Sequence, residues 1–109
     1  MVTVTFRRDS RNRLSSLFAE GHAGWADPGE DVVCAAASAI LQAAWLGLAE
    51  HARVDVEAER TGGRLALRWP EDARDRDDVQ AIVATAELSI ASFAHDFPKN
   101  IRIERAREP

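Results

Sequence analysis

Val2, Val4 and Phe6 alternate with Thr3 and Thr5, the period of a strand buried on one face. A polar cluster, Arg8 to Asn12, reads as a turn, and Leu14 to Glu20 reads as a second strand. Leu17-Phe18 interrupts its alternation, which predicts a bulge or burial on both sides. Gly21 to Glu30 carries Gly21, Gly24, Pro28 and Gly29 and reads as a loop. Asp31 can then cap a long helix running to about Glu50. Its inner stripe is Val33, Ile40, Leu41, Ala44 and Leu48, while Val32, Ala35, Ala39 and Leu46 fall on the opposite side.

Further on, Val54, Val56 and Ala58 alternate with acids, and Leu65, Leu67 and Trp69 alternate with Arg64, Ala66 and Arg68. The intervening Thr61-Gly62-Gly63 makes this the clearest hairpin, with outward acids and arginines facing each other across it. A charged linker leads to a second helix with Val79, Ile82, Val83, Ala86, Ile90 and Phe93 on one stripe. Asp75, Asp77 and Asp78 suit the positive end of that helix, Phe97-Pro98 stops it, and Ile101 and Ile103 mark a last short strand. The order is β-β-α-β-β-α-β. Without its first strand it is the split βαβ pattern of ferredoxin-like folds. The expected architecture is α+β, a two-layer sandwich with both helices on one face of a mixed sheet.

A chain of 109 residues, 46% hydrophobic, is the size of one domain, here expected to span 1–109. The single cysteine excludes a disulfide framework, and three scattered histidines give no metal-ligand spacing, so neither a metal nor a cofactor is expected. A net charge of -4 argues against binding nucleic acid by bulk electrostatics. The N-terminus does not read as a secretory signal. The alanine-rich stretch from Val32 to Ala49, interrupted by Ser38, Gln42 and Gly47, is read as a core helix and not a membrane span. The expected setting is the cytoplasm.

With Asp31 as cap, Cys34 occupies the third helical position, where unpaired N–H groups favour a thiolate and could steady an oxyanion. Asp31 opposes that effect by its own charge. His22 follows a strand directly, and a short loop could bring it to Cys34, the arrangement that Cys/His nucleophilic catalysis requires. On spacing alone, a core cysteine and a solvated loop histidine remain the plainer readings. His51 and His95 sit near helix C-termini, where a structural role suffices.

Gly21-His22-Ala23, then Gly29, then Asp31-Val32-Val33-Cys34-Ala35-Ala36-Ala37-Ser38, resembles the signature of the bacterial ribosomal-processing cysteine protease family. The resemblance implies cleavage of an N-terminal extension from a large-subunit ribosomal protein, after paired aromatic residues. It implies Cys34 as nucleophile and His22 as base, with Gly21, Asp31 and Ser38 in supporting positions. It also implies a homodimer, which the apolar outer side of the first helix would suit. The loop Gly24-Trp25-Ala26-Asp27-Pro28 departs from the family's polar, glycine-rich loop, so Gly24, Trp25 and Gly29 are expected to govern substrate fit.

A different class of protein remains on the residues alone: a non-catalytic ferredoxin-like module associated with ribosomes or RNA. Such modules stack bases on strand aromatics, yet Phe6 and Trp69 alternate with the core set here. A thiol redox sensor is the weakest reading, since no second cysteine could resolve a sulfenic acid.

Overall fold

In the computed structural model, residues 1–21 and 28–109 are described, with only the backbone of 28–31. Strands β1 (Val2–Arg8) and β2 (Leu14–Glu20) form a hairpin, followed by helix α1 (Pro28–Leu46). The β3 (Glu57–Thr61) and β4 (Arg64–Arg68) hairpin comes next, then helix α2 (Asp77–Asp96) and β5 (Ile101–Arg107). The sheet order is β3-β4-β2-β1-β5, with β1 and β5 parallel and every other pair antiparallel. This is the expected mixed sheet: a ferredoxin-like order in which β1 has been inserted between β2 and β5.

Val4, Phe6, Leu17, Ala19, Leu67 and Ile101 lie on one sheet face and are buried. Against them pack Leu41 and Ala44 of α1, Leu48 just beyond its end, and Val79, Val83 and Ile90 of α2, all in one core. Both helices therefore cover the same face, as the stripes predict. The bulge expected at Leu17-Phe18 does not form there, since Leu17 and Phe18 pair in regular register with Phe6 and Thr5; the register shift falls between Arg7 and Arg8, opposite Ser16 and Leu14.

Four boundaries differ from the sequence reading. Helix α1 begins at Pro28, three residues before Asp31, so Asp31 is not its cap. Pro28 reads locally as a breaker, but proline is favoured at a first helical position because it lacks an N–H that the helix would leave unpaired. The α-helix ends at Leu46 and continues as a wider π turn, Gly47–His51. Val54 and Val56 precede β3: with Arg53 at φ 55° the chain reverses, and the Val54 N–H donates to Leu48 O at 2.9 Å. Lastly, β5 is not short, since it pairs along the whole of β1.

The hairpin register sets Glu57 opposite Arg68, as expected, but Glu59 opposite Ala66, so only one acid meets an arginine directly. The segment Val32–His51, with mean hydropathy 1.9, is long and apolar enough to cross a membrane by length and composition. That part of the composition argument fails. What places the helix is its packing, because Ala37, Leu41, Ala44 and Leu48 are buried on the sheet.

Candidate active site

Cys34 is the seventh residue of α1 and is 5% exposed. It lies past the first turn, where the influence of the helix dipole has largely fallen off. The helix end therefore gives this thiol little of the support expected for a thiolate.

The cysteine lines a cleft of about 290 Å³ between α1 and the end of the sheet that carries the β3–β4 turn. Val2, Ala19, Leu41 and Leu65 supply its apolar wall. Successive turns of α1 bring Cys34, Ser38 and Gln42 to one side, the i, i+4 geometry of a helix face. The Gln42 amide donates to Ser38 Oγ at 2.9 Å. Arg60 and Arg64 come from the hairpin.

Gly21 closes β2 at this cleft. Its φ is +140°, and a Cβ there would stand 2.3 Å from Met1 O and 2.8 Å from Val2 Cα. No side chain fits, so only glycine lets the chain pass beside the start of β1. Its N–H donates to Gly63 O at 3.0 Å, tying the strand end to the hairpin turn. Glycine at position 21 is thus required by packing where the chain passes on to His22.

The structure brings Cys34, Ser38 and Gly21 to one cleft. His22, Gly24 and Trp25 lie outside the described residues, and of Gly29 and Asp31 only the backbone, in the first turn of α1, is described. His51 and His95 stand at helix C-termini, as read. Among the described residues no group of three His, Cys, Asp or Glu could hold a metal ion. Phe6 and Trp69 are both fully buried, so neither presents a face for stacking a base. The sequence reading missed Gln42, Arg60 and Arg64. The signal for Arg60 was present, because the alternation Val54, Val56, Ala58 carries on to position 60.

The class defined by this fold and thiol-bearing cleft is the cysteine protease: the sequence model described as cysteine protease Prp matches residues 1–102. The chain belongs to the Prp family. It is 29% identical over 106 residues to the ribosomal processing cysteine protease Prp of Staphylococcus aureus, covering 94% of this chain and 97% of that protein. Its identity to the Bacillus subtilis protein of the same name is 26% over 107 residues, covering 94% and 96%. A solved structure of the Staphylococcus aureus protease with a covalently linked product peptide superposes with a TM-score of 0.75 at 27% identity. It covers 96% of this chain and 99% of that one.

Proposed function

We propose that this chain is a cytoplasmic endopeptidase, one domain across 1–109, that removes the N-terminal extension of a large-subunit ribosomal protein. Cys34 is its nucleophile and His22 its base. The observation that carries the reading is the buried Cys34 on the wall of a cleft shared with Gly21, the residue bonded to His22. The similarity to a protease solved with a linked product peptide supports it.

In this reading the His22 imidazole takes the Cys34 Sγ proton, and the thiolate attacks the scissile carbonyl. The tetrahedral oxyanion collapses, the C–N bond breaks, and the imidazolium returns the proton to the departing amine. Water, deprotonated by His22, then attacks the thioester and releases the new carboxylate with the thiol restored. Asp31 orients the base, and Ser38 supplies a hydroxyl at the cleft. Gly24, Trp25 and Gly29 belong to the segment that fits over the peptide.

Cleavage of a synthetic extension peptide bearing paired aromatics, followed by mass spectrometry, tests the assignment. Cys34→Ala and His22→Ala should each lose at least ~10⁴-fold in rate, since nucleophile and base act as one unit. His95→Ala serves as the control. Retention of most activity by His22→Ala would remove the base assignment.

We further propose a homodimer, joined through the outer side of α1. Val32 is 69% exposed and Leu46 62% exposed there, and Ala35 and Ala39 lie exposed between them. Large apolar side chains grouped on one face favour a partner surface. Light scattering at micromolar concentration should give twice the 12.0 kDa of the chain, and Leu46→Lys should halve that mass. A mass of one chain, unchanged on concentrating, rejects the dimer.

A further inference from the structure

At the Cys34 end of the sheet, one row of side chains crosses four strands. It runs Val4, Ala19, Leu65, Arg60, each the direct partner of the next. Directly opposed residues share a sheet face. Val4 and Ala19 are buried in the core and Leu65 packs against it, so Arg60 takes the helix-facing side at the end of an apolar row. That position is exposed, and the arginine there lines the cleft that holds Cys34.

The two arginines of the cleft differ in their partners. Arg64 Nη2 lies 3.6 Å from Glu20 Oε2, across the β2–β4 pair. Among the described residues no carboxylate pairs with Arg60. The edge strand that carries it has every residue exposed, so Arg60 is not held by packing either. Its five N–H donors form a fork that grips a carboxylate or a phosphate by two parallel hydrogen bonds, and of these a peptide substrate brings carboxylates. A concave wall strengthens such a pair relative to open water.

We infer that Arg60 is a specificity-determining residue of the protease, receiving an Asp or Glu side chain of the peptide while the bond beside Cys34 is cut. The inference rests on the protease reading above. It adds to that reading a preference for acidic substrates that neither the thiol nor its base could provide.

The test uses the full chain and pairs of otherwise identical extension peptides, with Glu or Gln placed at each position in turn on either side of the scissile bond. At one position the Glu peptide should have a KM roughly fivefold lower than the Gln peptide, with kcat alike, as an ion pair of modest strength gives. That preference should collapse in Arg60→Gln, invert toward a Lys peptide in Arg60→Glu, and fade at high salt. Equal cleavage of Glu and Gln peptides at every position overturns the role of Arg60 and leaves the protease reading intact. Persistence of the preference in Arg60→Gln does the same. Failure to cut any peptide overturns the protease reading, and the inference falls with it.

Discussion

Where β1 turns into β2, the chain buries charge and satisfies it. Asp9 and Arg74 are each 6% exposed, and Arg74 Nη1 donates to Asp9 Oδ2 at 3.1 Å. Arg74 Nε and Nη2 both donate to Trp69 O, at 3.1 and 3.0 Å. Trp69 Nε1 in turn donates to Leu14 O at 2.8 Å. Arg13 joins from the turn, reaching Asp9 at 3.0 Å and Asp75 at 2.9 Å. At the opposite end, beside Cys34, the connections described among residues 1–21 and 32–109 include Gly21 to Gly63, Gln42 to Ser38, and the longer contact of Glu20 with Arg64. One end pairs its polar groups with each other, and at the other Arg60 and Ser38 line a cleft. Buried polar groups that are fully paired rigidify a fold, while groups that must meet a substrate cannot be paired in advance.

The sharpest way to test that contrast is to break the satisfied end. Arg74→Ala leaves the Asp9 carboxylate with one guanidinium fewer and Trp69 O without its donors. Removing one partner of a buried ion pair costs about 3 kcal/mol or more. For a domain of this size, that is a Tm loss of roughly 10 °C or more, read by circular dichroism. Below the new melting point, peptide cleavage should stay near that of the parent chain. A comparable loss of kcat would show the two ends to be coupled.

The same end sets the acid limit of the fold. Burial pushes the Asp9 carboxyl up, but the backbone N–H and guanidinium of Arg13, the guanidinium of Arg74 and the backbone N–H of Arg11 outweigh it. They hold Asp9 well below the usual carboxylate range. A folded-state pKa below the unfolded one contributes stability above the unfolded value, near 3.8, and loses it as pH falls further. The Asp78 and Glu108 carboxyls are lowered too, and titrate in the same direction. Urea midpoints should therefore drop steeply below about pH 4. Asp9→Asn should start lower at neutral pH and show a shallower acid slope. An unchanged slope would take Asp9 out of the acid transition.

Gly21→Ala probes the less connected end. A Cβ 2.3 Å from Met1 O at φ +140° forces the strand end to shift, at a cost of about 2 kcal/mol for a backbone strained in this way. Because the next residue is His22, cleavage should fall further than the loss of folded protein explains. Activity in proportion to the folded fraction would make Gly21 a packing residue only.

The legibility of the chain followed the same division. Alternation along β1 and β4 and the stripe of α2 were readable because core burial imposes a period, and Val79, Val83, Ala86 and Ile90 are buried as the spacing requires. Boundaries failed where local chemistry has two meanings. Pro28 both breaks chains and opens helices, and Val54 alternates like a strand residue while its N–H is held by the end of a helix. The signature drew attention to Cys34, and the cleft places Gly21 and Ser38 with it. The Asp9–Arg74 pair was invisible, since 65 residues separate its members and no periodicity joins them. Arg60 was legible only as an exception to a pattern, and its meaning required the cleft.

The smallest expected effect separates two polar residues of the cleft. Thr85, on the outer side of α2, gives its hydroxyl proton back to Ala81 O at 2.6 Å, the usual refuge of a helical hydroxyl. Ser38 behaves differently: its Oγ accepts from Gln42, and among the described residues no backbone carbonyl takes its proton. Ser38 lines the cleft, where a substrate carbonyl would be an acceptor for that proton. Ser38→Ala should then lower kcat/KM about fivefold, the worth of one neutral hydrogen bond. Gln42→Ala removes only an exposed pair on the helix surface and should change kcat/KM less than about twofold, with stability within ~0.5 kcal/mol. If both variants lose activity equally, Gln42 acts by orienting the hydroxyl, and the pair works as one unit. If neither does, the polar side of α1 is ordinary helix surface, and the contrast between the two ends of the sheet narrows to Cys34 and Arg60.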